Sequence, residues 1–201
     1  MRIASIVAPT FAFGACTFAM ACDARALGPV DVEIGARVGV ATNPASNGVD
    51  LNPLGFGLGA RGGVDFLGFY GGVQFMYYLG GTASSAALCG PITSCGVATF
   101  STHTIMAGAE VGYGLTVIDV FTLRPQIGLG DATFRSSASG PGVTNPGSRG
   151  SSSNLYLEPG VTGLFLMRGW FAGVDVNALF FPGMNDAQTA FSLHGQVGLK
   201  F

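Results

Sequence analysis

Residues 30–40 read VDVEIGARVGV. The even-numbered positions of this stretch are all aliphatic, whereas the odd-numbered positions are Asp31, Glu33, Gly35, Arg37 and Gly39. Because successive side chains of a β-strand point to opposite faces, the stretch predicts a strand with one aliphatic face and one charged face. The class of fold depends on which of these two faces meets water.

The same alternation recurs seven more times along the chain. It predicts strands at residues 53–66, 69–79, 100–115, 121–131, 155–165, 170–180 and 191–201. Three connections, near Leu67, Asp119 and Arg168, are very short, and those at 42–52, 80–98, 135–152 and 181–188 are longer. Pro125 and Pro159 fall inside predicted strands, where each removes a ladder donor, so they predict local bulges or bonds rearranged towards the interior.

Charge is confined to one face of these strands. With the exception of Asp131, every charged strand residue lies opposite the apolar face: Asp31, Glu33, Arg37, Arg61, Asp65, Glu110, Arg124, Glu158, Asp175 and Lys200. The chain is 48% hydrophobic and only 10% charged, whereas a soluble domain carries about 25% charged residues. A soluble β-sandwich would also alternate, but it would not require so few charges. We therefore predict an all-β fold, an eight-stranded antiparallel up-and-down transmembrane β-barrel with short periplasmic turns and longer extracellular loops.

Outward-facing aromatic residues form two groups, as the interfacial girdles of a membrane barrel would. One group lies beside the short turns and the C-terminus: Phe66, Phe69, Tyr113, Phe121, Phe165, Trp170 and Phe201. The other lies towards the longer connections: Phe56, Tyr77, Phe180 and Phe191.

The first 26 residues have a different pattern. Arg2 precedes an apolar stretch with small residues, and Ala24 and Ala26 occupy the small-residue positions of a cleavage site. Residues 1–26 therefore predict a secretory signal peptide, and residues 27–201 the barrel domain. A cut before Cys22, as in a lipoprotein, is the alternative.

Two cysteines remain after removal of this leader, Cys89 and Cys95. In an oxidising compartment they would form a disulfide closing a small loop. Two free thiols are the alternative. No His or carboxylate lies near them in sequence, so no metal site is expected.

The last eleven residues, FSLHGQVGLKF at 191–201, end on Phe201 after apolar residues at Val197 and Leu199. This pattern resembles the C-terminal assembly signal of bacterial outer-membrane proteins, with His194 at its polar position and Gln196 where Gly is usual. The mature chain resembles the small eight-stranded OmpA-like and OmpX-like barrel families in pattern, without a diagnostic motif.

That resemblance implies the outer membrane of a Gram-negative bacterium and a monomer. The expected partners are outer-membrane lipids, lipopolysaccharide and the outer-membrane assembly machinery. A net charge of -2 gives no reason to expect nucleic acid.

The barrel interior is the first candidate site. An eight-stranded barrel is just wide enough for its own side chains. Nine charged residues would meet there and form an ion-pair network that fills the lumen: Glu33, Arg37, Arg61, Asp65, Glu110, Arg124, Glu158, Asp175 and Lys200. A narrow or gated pore is the alternative, because the Gly-rich interior face leaves room for water.

An enzyme is the third function class, because lipid A deacylases and palmitoyl transferases use this fold. Ser101, His103 and Asp131 share the outward face near the external rim. However, the order Ser-Thr-His reverses the His-x-Ser order of the deacylases, so we expect three polar rim residues and no catalytic residue or cofactor. The sequence thus favours a non-enzymatic structural or surface-displaying protein, acting in membrane integrity, adhesion or loop-mediated interaction.

Overall fold

A computed structural model describes residues 30–44, 51–86, 97–139, 150–183 and 188–201. The strands are β1 (Val30–Ala41), β2 (Gly55–Phe66), β3 (Phe69–Ala86), β4 (Val97–Tyr113), β5 (Leu115–Ile118), β6 (Phe121–Ser139), β7 (Gly150–Met167), β8 (Trp170–Phe181) and β9 (Gln188–Lys200). The predicted leader and the cysteines Cys89 and Cys95 lie outside the described residues. Within the described ranges there is no helix with the length and hydropathy that crossing a membrane would require.

The strands close into one antiparallel barrel. Consecutive strands pair with each other, except that β4 pairs with β6 and not with β5, and β1 pairs with β9 from Glu33↔Lys200 to Ala41↔Ser192. The short strand β5 continues β4 beyond Gly114 and pairs only with β6, so the barrel wall has eight strand positions. This confirms the predicted eight-stranded antiparallel barrel.

The two faces of the wall differ as the alternation predicted. Val38 and Leu199 on the outer face are 49% and 58% exposed, whereas Glu33 and Arg124 on the inner face are each 1% exposed. A surface of exposed aliphatic and aromatic side chains is what a membrane barrel presents to hydrocarbon. The polar face is enclosed by the strands.

Three two-residue turns close one end of the barrel, which we call the short-turn end. Phe66 pairs with Phe69, and the intervening Leu67 and Gly68 both have positive φ, of 52° and 85°. Two positive φ values define the type I′ turn, whose twist matches that of the strands it joins. The opposite end is the long-connection end.

Four strands run further at the long-connection end than the apolar alternation predicted. β3 reaches Ala86, β4 starts at Val97, and β6 and β7 extend to Ser139 and from Gly150. The prediction that residues 135–152 form one long loop is therefore wrong. We call this extension, at residues 80–86, 97–103, 135–139 and 150–155, the protruding sheet. Its Ser- and Thr-rich strands lack apolar periodicity, but backbone pairing with neighbours does not require it.

Leu54 is a second departure from the sequence prediction, which placed it on the outer face beside Phe56. It is instead fully buried inside the barrel. Gly55 has a φ of 63°, so the extended backbone that carries alternation begins only after it. Alternation cannot be extrapolated across a residue with positive φ.

The two strand prolines do not produce bulges. The β6–β7 register runs unbroken through Pro125↔Val161 and Ile127↔Pro159. The β4–β6 ladder ends at Gln126, so Pro125, the residue before it, needs no partner on β4. Pairing between β7 and β8 skips Pro159 but resumes in the same register. The missing donors shorten or interrupt ladders without shifting them.

We predict that a charge on the outer face is costly. Val174→Arg should lower the free energy of unfolding by about 2–4 kcal/mol, because hydrocarbon solvates a guanidinium poorly. The measurement is urea unfolding of protein refolded into lipid vesicles, followed by fluorescence of the single tryptophan, Trp170. The control Val174→Leu should stay within about 1 kcal/mol of wild type. Equal stability of the Arg and Leu variants would contradict an outward, lipid-facing Val174.

Candidate functional site

The barrel interior contains the nine charged side chains singled out from the sequence. The structure arranges them in two clusters. A short-turn cluster surrounds Arg124, and a central cluster surrounds Arg37. The contacts within each cluster show how far the side chains fill the lumen.

Arg124 is the centre of the short-turn cluster. Its two terminal nitrogens each donate to one carboxylate oxygen of Glu33 at 2.8 Å, and one of them also lies 3.3 Å from Asp65. Lys200 extends the cluster with ion pairs of 3.3 Å to Glu33 and 3.2 Å to Asp31. Bidentate pairing fixes the relative orientation of the guanidinium and the carboxylate. The cluster ties β1, β2, β6 and β9 together across the lumen.

Tyr70 links this cluster to a second arginine. Its ring is close to two guanidinium groups, with Arg124 Cζ 4.2 Å and Arg61 Cζ 4.8 Å from the ring centroid. Its hydroxyl donates to Glu110 at 2.8 Å, and Arg61 lies 2.9 Å from the same carboxylate oxygen. The aromatic ring attracts both cations.

Arg37 is the centre of the central cluster. It donates to Asp175 at 2.6 Å and also to Gln74 Oε1. The amide nitrogen of Gln74 in turn donates to Glu158 at 2.6 Å. Gln74 therefore connects the cation to a second carboxylate that has no direct ion pair among the described residues.

His194 continues the central cluster towards the long-connection end. Its Nδ1 lies 2.8 Å from Asp175 Oδ1, and its Nε2 lies 2.7 Å from the Tyr78 hydroxyl. His194 and Asp175 are fully buried, and Tyr78 is 1% exposed. The geometry suits a fixed hydrogen-bond chain, and its burial makes access by a substrate impossible without rearrangement.

An apolar layer fills the lumen between the central cluster and the long-connection end. It is formed by buried side chains from most of the strands and from the β1–β2 connection: Ala41, Leu54, Met76, Tyr78, Met106, Ala132, Phe134, Tyr156, Leu179, Phe181 and Ala190. Phe134 and Phe181 pack edge to face at 5.4 Å. Apart from the hydroxyls of Tyr78 and Tyr156, the side chains of this layer have no polar group that would solvate an ion passing through it.

Interior glycines make room for the large inward side chains. A Cβ on Gly63 would lie 2.6 Å from the Tyr70 ring, and one on Gly57 would lie 2.6 Å from the Tyr78 ring. The sequence prediction was that the Gly-rich wall leaves room for water beside the larger side chains. At these positions aromatic rings occupy that room, because a ring on one strand covers a glycine on the next.

One described cavity, of about 150 Å³, opens into the interior at the short-turn end. It is lined by Asp65, Gly68, Gly114, Thr116, Thr122, Arg124, Leu164, Leu166 and Lys200. The short-turn cluster therefore borders a polar recess, whereas the apolar layer separates the central cluster from the long-connection end.

The candidate triad on the outer rim is not assembled. The Ser101 hydroxyl lies 2.8 Å from that of Ser137, and Asp131 accepts from Thr133 and Ser153. The His103 ring lies 5.8 Å from the Tyr77 ring and is tilted by 34° against it. His103 pairs across the strands with Arg135, four residues from Asp131. In the described residues no cluster of three His, Cys, Asp or Glu side chains could hold a metal ion.

The residues of the C-terminal pattern lie on the closing strand. Val197, Leu199 and Phe201 are 55%, 58% and 44% exposed on the outer face. The backbone of Phe201 exchanges hydrogen bonds of 2.7 and 3.0 Å with Val32. The last residues thus complete the β1–β9 seam with an apolar outer surface.

Counting charged residues in the sequence did not identify the neutral polar side chains that take part in the interior network. Tyr70, Gln74 and Tyr78 lie on the inner face of β3 and link charges that belong to other strands. Parity alone placed them inside, but nothing in the sequence shows which carboxylate or imidazole each would meet.

Solved structures with this architecture come from bacterial outer membranes. A major outer membrane protein from Thermus thermophilus matches with a TM-score of 0.60 and 12% identity, over 86% of this chain and 99% of that one. Neisserial surface protein A matches with a TM-score of 0.51 and 15% identity, over 86% and 97%. The chain has the fold of a small outer-membrane β-barrel. No protein-family model matches the sequence, and comparison with curated protein sequences gives no match.

These identities are too low to transfer a function, so the fold is what the barrel shares with these proteins. Its interior contacts are its own. The function therefore has to be argued from the filled lumen and the shape of the long-connection end.

We predict that the Arg124–Glu33 pair is strongly coupled. Arg124→Met alone should cost about 3–5 kcal/mol of unfolding free energy, because Asp65 loses its cation and Glu33 keeps only its longer contact with Lys200. The double variant Arg124→Met/Glu33→Leu should lose less than the sum of the single losses, by more than about 1 kcal/mol. Urea unfolding in vesicles measures all three variants, and strictly additive losses would contradict the pairing.

Proposed function

We propose that this chain is a non-enzymatic outer-membrane protein of a Gram-negative bacterium, in which a filled barrel anchors an external interaction surface. One observation carries the proposal. The lumen is occupied by two polar clusters and an apolar layer, while four strands continue beyond the barrel as the protruding sheet. Such a molecule suits membrane integrity, adhesion or another contact made at the cell surface.

The filled interior supports a structural role. The ion pairs of Arg37, Arg61 and Arg124 connect different strands through contacts of 2.6–2.9 Å. These ion pairs hold one arrangement of the strands, since removing one partner of a buried pair is costly. A rigid body of this kind is a suitable base for a display surface.

The protruding sheet supports the interaction role. β2 pairing ends at Leu79 of β3, and β8 pairing ends at Leu157 of β7. Apart from the backbone hydrogen bond of Gly81 to Asn52, both outer strands of the sheet therefore have described strand partners on one side only. Unpaired strand edges can accept an extended segment of another chain. Its strands are also rich in hydroxyl side chains, which offer donors and acceptors to a polar partner.

The proposed orientation places the short turns in the periplasm and the protruding sheet outside the cell, as is usual for outer-membrane barrels. The outer-membrane assembly machinery would act on the closing strand that ends at Phe201. Outer-membrane lipids and lipopolysaccharide would surround the apolar belt, and the barrel would act as a monomer.

We predict that the protruding sheet is reached from outside intact cells. In a background with Cys89 and Cys95 replaced by Ser, Ser84→Cys should react with a membrane-impermeant maleimide, because Ser84 is exposed on the sheet. Arg168→Cys, at the opposite turn, should react only after the cells are lysed. Labelling of Arg168→Cys in intact cells, with Ser84→Cys protected, would reverse the proposed orientation.

A small pore is the second candidate, favoured by the polar recess of about 150 Å³ at the short-turn end. The recess leads to the charged clusters, which could hydrate an ion. Passage would still have to cross the apolar layer, so conduction requires a rearrangement of side chains such as Phe134 and Phe181.

We predict no discrete conductance steps from the refolded full chain in planar lipid bilayers, because the apolar layer excludes hydrated ions. Folding is verified beforehand by the anomalous gel mobility of unheated protein. Discrete steps from the wild type that Leu54→Trp abolishes would favour the pore, since the larger side chain would obstruct the lumen.

A further inference from the structure

The outer face of the described strands carries two charged side chains, Asp131 and Arg135. Both lie on β6 towards the long-connection end, and both are exposed. Everywhere else on the outer face of the described strands, the residues are uncharged. The sequence prediction had assigned Arg135 to a loop, so its place on the barrel wall is a property of the folded chain.

The height of Arg135 places it at the edge of the hydrocarbon. The segment from Phe121 to Asp131 spans 11 residues, and a transmembrane strand needs about 9–11. Arg135 lies four residues beyond Asp131, on the same face. It therefore falls in the headgroup layer at the base of the protruding sheet.

Arg135 is surrounded by polar side chains at this height. The register places His103 of β4 on one side of it and Ser151 of β7 on the other. The next outward pairs are Ser101 with Ser137 above, and Thr133 with Ser153 below. Most of the outward side chains next to Arg135 therefore carry hydroxyl groups.

Arg135 has no ion pair or hydrogen bond to any described side chain. The inward arginines Arg37, Arg61 and Arg124 all have carboxylate partners. The nearest outward carboxylate along the strand, Asp131, accepts from Thr133 and Ser153 and is separated from Arg135 by about 13 Å of extended chain. The forked donors of Arg135 are therefore available to an external anion.

We propose that Arg135, with His103 beside it, binds a phosphate of lipid A on the outer face of the barrel. This inference rests on the proposed outer-membrane location. A guanidinium matches the geometry of a phosphate group, and an imidazole adds a further donor. Lipid A also presents a sugar backbone, whose hydroxyl, amide and ester groups can pair with the surrounding Ser and Thr hydroxyls. A phospholipid offers phosphate without the sugars, so the combined chemistry favours lipid A.

The test uses the folded full chain and compares two exposed arginines that lie at opposite ends of the barrel. Each protein is titrated with bisphosphorylated lipid A in detergent micelles, and binding is measured by native mass spectrometry. Arg135→Gln should weaken binding about ten-fold, which is the effect of losing one charged hydrogen bond. Arg168→Gln, at the short-turn end, should bind as the wild type does. Arg135→Lys should bind with an affinity between those of Arg135→Gln and wild type, because it keeps the charge but loses the forked donors. Lipid A stripped of phosphate should bind weakly to every variant.

Several outcomes would overturn the inference. They are equal lipid A affinity of Arg135→Gln and wild type, undiminished binding of phosphate-free lipid A, or equally Arg135-dependent binding of phosphatidylglycerol. Fractionation of cells separates this failure from failure of the proposed function. If the wild type is recovered with the outer membrane while Arg135→Gln binds lipid A normally, only the lipid A site is wrong.

Discussion

The structure depends on one constraint, the inability of hydrocarbon to hydrogen-bond a backbone or solvate a charge. Every backbone group in the membrane must therefore find a partner within the wall, which closes only when β1 meets β9. The same constraint drives the charges to the enclosed face. Closure of the barrel and the separation of its charged and apolar faces thus have the same cause. In the sequence, the separation of the faces is seen as alternation of apolar and polar residues.

Enclosure creates a second requirement, because charges shut away from bulk water need partners of their own. The barrel meets it with arginines that bridge strands and with neutral side chains, such as Tyr70 and Gln74, that join one ion pair to another. Glycines on neighbouring strands leave space for these rings. The interior is consequently packed by a match of large and small residues.

Beyond the membrane the constraint is relaxed, and the strands change character. β3, β4, β6 and β7 exchange aliphatic residues for Ser and Thr yet keep their pairing. Polar side chains are tolerated there because water or headgroups surround them. The outward-facing Arg135 lies at the boundary between these two regimes.

The sequence by itself determined the strand number, the inner and outer faces, the short turns and the charged residues of the lumen, because each follows from alternation of period two. It did not determine the ends of the four long strands, since hydroxyl-rich segments carry no apolar signal. It also misplaced Leu54, because the positive φ of Gly55 interrupts alternation. Which arginine meets which carboxylate, and how the apolar layer assembles, were decided only by the tertiary structure. These contacts join residues far apart in the chain, and their geometry depends on the register and closure of all eight strand positions.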